Sequence, residues 1–222
     1  MSASVLPGIT YILRSSIYVS LTNRCNACSL IESRGPGFAM PASCGFEPLP
    51  PSLEPTPEQV ADAVRLAMGD ERLAGGAANE VCFAGMGEPL LKRRQLEEAA
   101  RLIGGEHDTS LRLVTNGLVP SSEGADVASG LHAAGFRSAS VALATADPEQ
   151  YDSLMRPDGI RLTPAFSLPL GHEEVCGFVS ACISAGMTVE CNAVAAPGVD
   201  VDSVSALAAS LGATFRSRSW HP

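Results

Sequence analysis

No uninterrupted apolar run in this chain of 222 residues approaches the roughly eighteen residues that a membrane-crossing helix needs. The N-terminus also lacks the charged-then-apolar pattern of a secretory signal, so a cytoplasmic protein without a membrane partner is expected. Basic clusters are missing too. Fifteen Lys and Arg lie scattered among twenty-four Asp and Glu, for a formal charge of −9, whereas nucleic-acid surfaces gather their cations. A nucleic-acid partner is therefore excluded. The chain has no Gly-x-Ser-x-Gly elbow, which speaks against a serine hydrolase. The histidines His107, His132, His172 and His221 are dispersed, with no pair at metal-ligand spacing, and read as surface or capping residues. Cysteine is present seven times, an odd number with no second Cys-x2-Cys, which disfavours both a disulfide framework and a four-ligand zinc site.

What is present is a rhythm. β-branched and alternating apolar stretches predict strands at 17–22, from 81, at 111–114, 140–144, 187–194 and 213–216. Between them, Thr56-Pro57-Glu58 and Asp147-Pro148-Glu149 open helices with a capping side chain and an early proline. Gly104-Gly105, Gly135, Gly186 and Gly212 are expected to end helices. Strand and helix alternating along the chain imply parallel pairing with right-handed crossovers, in an open doubly wound sheet or a partial barrel of about six βα units. The dinucleotide fingerprint that would follow the first strand of a Rossmann sheet is missing, and a cysteine pair stands in its place. The expected fold is α/β, a partial (βα)6 TIM-like barrel in one domain spanning 1–222. Residues 29–56, dense in proline and glycine, form a long connection.

Barrel sites are built from the lips that follow strand C-termini. Here those lips carry Asn23 to Cys28, Gly85-Met86-Gly87-Glu88, Asn116-Gly117, Thr145 and Ala195 to Gly198. Glycines let backbone N–H groups approach a ligand, and Glu88 offers an acceptor for an ammonium group. Cys82, Cys176, Cys182 and Cys191 lie in apolar or helical stretches and behave as small hydrophobes, whereas Cys25, Cys28 and Cys44 fall in loops.

A cysteine cluster after the first strand, the Gly85-Met86-Gly87-Glu88-Pro89 lip after the second, Val114-Thr115-Asn116-Gly117, Asp147 to Tyr151 with Arg156-Pro157, and Ala193 to Asp200 together resemble the radical S-adenosylmethionine superfamily. Within it the chain is similar to a short, core-only branch associated with TatD-type proteins. The resemblance implies a [4Fe-4S] cluster held by three thiolates, with its fourth iron open to S-adenosylmethionine. It further implies reductive cleavage to a 5′-deoxyadenosyl radical that takes hydrogen from a small-molecule or peptide substrate, and an electron donor. On that resemblance Cys25, Cys28 and Cys44 are the cluster ligands. The lip Gly85, Met86, Gly87 and Glu88 would hold the cofactor's amino group, Asn116 and Thr145 would face its ribose or carboxylate, and Ala195 and Pro197 would border the adenine. No residue is assigned to hydrogen abstraction. The family run is Cys-x3-Cys-x2-Cys, whereas this chain reads Cys25-x2-Cys28 with Ile31 where a third thiol would stand. Two alternatives stay open: Cys44 returns as the third ligand, or a cluster-free homologue binds S-adenosylmethionine or a related nucleotide without radical chemistry.

Overall fold

The computed structural model describes residues 6–29, 31–51, 53–73, 78–156 and 170–222. Pro157, which closes the Arg156-Pro157 string, lies outside the described residues. Seven strands form one sheet whose order follows the chain: β1 (Thr10–Leu13), β2 (Ser16–Val19), β3 (Glu80–Phe83), β4 (Ser110–Thr115), β5 (Phe136–Ala142), β6 (Thr188–Val194) and β7 (Thr214–Arg218). The six expected strands are all present. β1 is additional and pairs antiparallel with β2, setting Tyr11 opposite Tyr18. Its turn is made by Arg14 at φ 59, a left-handed non-glycine residue, so the turn carries no Gly or Pro signal. The helices are α1 (Pro57–Ala67), α2 (Arg93–Glu106), α3 (Gly124–Ala133), α4 (Pro148–Met155), α5 (His172–Ser184) and α6 (Val201–Ser210).

Contacts gather the chain into two compact units, one of 1–24, 40–114 and 133–137, the other of 25–39, 115–132 and 138–222. In the first unit, β2, β3 and β4 run parallel, with Tyr18, Cys82 and Arg112 abreast. Alternation then sends Ile17, Val19, Val81, Phe83, Leu111 and Leu113 to the opposite face, where all are buried, as are Val60 and Val64 of α1 and Leu96 and Ile103 of α2. Each such side chain contributes about 1.5–3 kcal/mol on leaving water. The other face is polar. Glu80 accepts from Arg112 Nε at 2.8 Å, and the Cys82 thiol lies between them, 2.9 Å from Glu80 and 3.1 Å from Arg112.

α1 begins where its sequence predicts. The Thr56 hydroxyl accepts from the Gln59 amide, and the Gln59 side chain accepts in return from the Thr56 amide. α2, by contrast, runs through Gly104 and Gly105 to Glu106. Neither glycine takes a left-handed conformation, and the helix ends at His107 in extended geometry.

In the second unit β5, β6 and β7 are parallel, with Ser140 beside Glu190 and Glu190 beside Thr214. Val189, Cys191 and Ala193 are buried on one face, while Glu190 on the other pairs with Arg216 at 3.0 Å. α4 and α6 are capped by the carboxylates of Asp147 and Asp200. α5 starts at His172, with Glu173 and Glu174 in its first turn. Among its described residues the 29–56 connection holds two short 3-10 turns, Glu32–Arg34 and Ala42–Cys44.

Candidate functional site

In the first unit the chain leaves β2 through Ser20 to Arg24 and leaves β3 through Ala84 to Pro89. Gly85 and Gly87 lie against that first lip. A Cβ on Gly85 would stand 2.5 Å from Ser20 Oγ, and one on Gly87 would run into the carbonyl oxygens of Thr22 and Arg24. These glycines are thus required for close packing of one lip on the other, in addition to any approach of a ligand. The Glu88 amide donates to the Arg24 carbonyl at 2.8 Å. Its side chain, 4% exposed, accepts from the Leu90 amide and caps the 3-10 turn Pro89–Lys92. Met86 is half-buried. Asn23 fixes the proline-rich connection, since its amide group donates to Leu49 O at 2.7 Å and accepts from Leu49 N at 3.1 Å. Cys44 is buried.

The second unit carries the other lips. Asn116, buried at the end of β4, donates to Asn26 Oδ1 at 2.7 Å and reaches Cys25 Sγ at 3.8 Å, while its own oxygen accepts from the Leu118 amide. It therefore holds the Cys25-Asn26 turn in shape. The Cys28 amide donates to Met155 O at 2.6 Å, and its thiol is buried. Arg156, at a left-handed φ of 44, brings its guanidinium to Cys28; the hydrogen bond first, and then the charge, raise the guanidinium pKa. Ser29 and Glu32 bond reciprocally, which holds the Glu32 carboxyl below its ordinary range.

The Thr145 hydroxyl is engaged within the fold, with Gln150 Oε1 at 2.5 Å and the Asp147 amide at 3.1 Å. Gln150 donates onward to Gly198 O, and the His172 ring meets Thr145 O at 2.9 Å. Beside these lips a concave space of about 60 Å³ opens, walled by Ser33, Ala144, Met155, Asn192, Ala196 and Val199. Ala195 and Pro197 are exposed on the flanks of the same lip. The sequence reading named the lip and missed the pocket's other walls. Asn192, a buried amide inside an apolar strand that donates to Ser140 Oγ and Val141 O, was the available signal.

A three-iron attachment asks for three thiolates. The second unit offers two, Cys25 and Cys28, and Cys44 belongs to the first unit. Among the described residues no three His, Cys, Asp or Glu side chains are grouped to hold a metal ion. The donor set as it stands does not fit the cluster.

No known protein-family signature matches the chain. It is 33% identical over 190 residues to GTP 3',8-cyclases of two strains of Corynebacterium glutamicum, covering 82% of this chain and 42% of theirs. The chain thus spans about two fifths of the length of these curated relatives. Among solved structures, a radical SAM methyltransferase from Sphaerobacter thermophilus superposes with a TM-score of 0.63 at 17% identity, over 94% of this chain and 57% of that one. SuiB of Streptococcus suis, solved with S-adenosylmethionine and also with its precursor peptide SuiA, gives 0.62 at 12% identity with S-adenosylmethionine bound, over 95% and 41%. The α/β fold with its mostly parallel seven-stranded sheet is the one these radical SAM structures share.

Proposed function

We propose that residues 1–222 form the S-adenosylmethionine-binding core of a radical S-adenosylmethionine-type enzyme. The observation that carries the reading is the concave, mostly apolar pocket of about 60 Å³ at the C-terminal ends of β5 and β6, tied to the cysteine turn by the Cys28-to-Met155 hydrogen bond. Its alanine, valine and methionine walls suit a flat apolar ring such as adenine. Ala195 and Pro197 would border that ring from the rim, and Asn116 and Thr145 would shape the lips facing the ribose or carboxylate. In the first unit, the lip Gly85, Met86, Gly87 and Glu88 is the one we assign to an ammonium group. Cys25 and Cys28 are the thiols we assign toward iron, with Cys44 as the third that the sequence supplies. When bound, a cluster would supply the electron for sulfonium cleavage. Among the described residues fewer than three such donors are grouped.

That shortfall favours a second reading, a cluster-free homologue that keeps the pocket. Anaerobic reconstitution with iron and sulfide, followed by calorimetric titration with S-adenosylmethionine, separates the two. About four irons per chain together with cofactor binding support the enzyme. Colourless protein that binds the cofactor supports the homologue, and protein that binds neither overturns both. SuiB with its bound peptide motivates testing a peptide substrate, and placement in the TatD-associated branch rests on the sequence resemblance alone.

A further inference from the structure

The run Gly104-Gly105-Glu106-His107-Asp108-Thr109-Ser110 closes α2 and leads into β4, and the cofactor reading does not use it. A cavity of about 440 Å³ opens there, walled by this run with Leu111, Gly135 and Arg137, all of the first unit. It lies at the N-terminal starts of β4 and β5, whereas the lips follow strand C-termini. It is larger than the space beside Ser33 and Asn192, and polar atoms make up most of its lining.

Packing does not explain the two glycines. Neither takes a left-handed conformation, and a Cβ on either would meet nothing within 4 Å. Glycine weakens a helix, so a position without such demands is better filled by another residue. Here the pair leaves the last turn of α2 bare where the cavity opens. Two polar atoms are stranded in the same wall. His107 Nε2 and Thr109 Oγ1 are buried, and neither has a hydrogen-bond partner among the described residues. Glu106 Oε2 lies 3.9 Å from His107 Nε2, beyond hydrogen-bond reach. Buried polar atoms are ordinarily paired, and an unpaired one costs stability. Both residues are half-exposed overall, so a change of rotamer suffices to present either atom to the cavity.

We propose that this cavity is a second ligand site, taking a neutral, hydroxyl-rich molecule of monosaccharide size. A hydroxyl both donates and accepts, so it pairs with Thr109 Oγ1 and with the His107 ring nitrogen whichever role that nitrogen plays, whereas an ammonium only donates and a carboxylate only accepts. Charge on the walls is balanced. Glu106 and Asp108 stand against Arg137, and Arg65 already spans both oxygens of Glu106 at 2.8 and 2.7 Å. No field of one sign therefore selects an ion. The volume falls within the range of small-molecule sites. The site stands apart from the S-adenosylmethionine pocket and does not depend on it.

Proton–nitrogen correlation spectra of the full chain, titrated with D-ribose, D-glucose, spermidine or citrate, test the site. A sugar of about a dozen heavy atoms is expected to bind with a dissociation constant of about 1 mM, so titration to about 50 mM saturates it. The expected result is that a sugar moves the amides of 104–110 and leaves those of Gly87 and Asn116 in the lips still. A response to ribose alone assigns a pentose, and one to glucose alone a hexose. Thr109→Val keeps the side-chain shape without the hydroxyl and should weaken sugar binding about two- to tenfold, as expected for one lost hydrogen bond. The same change should not lower the unfolding midpoint, because it deletes a stranded polar atom. Thr109→Ser keeps the hydroxyl and should bind as the unaltered chain does. Amides of 104–110 that stay still with both sugars overturn the site. Spermidine or citrate moving those amides at lower concentration than either sugar overturns the neutral ligand, and equal sugar affinity in Thr109→Val and Thr109→Ser overturns the role of the hydroxyl.

Discussion

Changing Gly87 and Gly104 to alanine, one at a time, puts the account of the lips and of α2 to a test of sign. At Gly87 the added methyl would be driven into the Thr22 and Arg24 carbonyl oxygens and would stand 2.8 Å from Arg24 N. All three are backbone atoms, so no flexible side chain can swing away and relieve the contact. Overpacking of this kind costs about 1–3 kcal/mol, and the rigidity of the neighbours puts Gly87→Ala toward the upper end. At Gly104 nothing lies within 4 Å of the new methyl, and the residue is in α2. Removing a glycine from a helix gains about 0.5–1 kcal/mol, less where the last turn frays. For a chain of this size, each kcal/mol moves the unfolding midpoint by about 2–4 °C. Thermal unfolding by circular dichroism, with urea midpoints to confirm unchanged slopes, reads both effects. Gly87→Ala should melt several degrees lower and Gly104→Ala slightly higher. Wild-type stability in the first, or a lowered midpoint in the second, would refute the packing described here.

Three further outcomes are expected. Burial pushes the Cys82, Cys182 and Cys191 thiols up to about 12, so at pH 8 iodoacetamide should label the half-exposed Cys25 and spare those three in folded protein. Peptide mass spectrometry finding Cys82 labelled as fast as Cys25 would contradict the burial of the Cys82 thiol between Glu80 and Arg112. Hydrogen bonds from the Arg72 side chain, and then from its amide, hold the Asp70 carboxyl down to about 2 from its ordinary 3.8. Because the folded value is the lower one, the stabilisation is complete above about pH 4 and is lost as pH falls through 2. A carboxyl NMR titration with its midpoint near 4 would break that assignment. Asn116→Ala strands Asn26 Oδ1 and the Leu118 amide, at a cost of about 1–3 kcal/mol, and should weaken S-adenosylmethionine binding by loosening the Cys25 turn. An unchanged melting temperature would show that Asn116 does not support the turn.

Much of the architecture was legible because its signals are local. Thr56 and Asp147 accept their own helix's amides, and Gly135, Gly186 and Gly212 take left-handed angles that other residues avoid. β1 escaped notice because Arg14 makes its turn without the usual residue types, and α2 outran its glycines because nothing at 104 or 105 demands a left-handed bend. The lips were visible as polar and glycine-rich strings at strand ends. Their internal commitments were not, since Asn116 to Asn26 and Asn23 to Leu49 join residues far apart in sequence.

Taken alone, the sequence determined the alternation of strand and helix, the face that each strand buries, and the lips on which chemistry would collect. Periodicity and capping depend only on near neighbours. Tertiary structure decided which side chains are already occupied, where a concave space opens at the ends of β5 and β6, and that Arg34 meets His221 across 187 positions of chain. Such contacts depend on how distant segments close on one another, and a linear pattern of residue types carries no record of that closure.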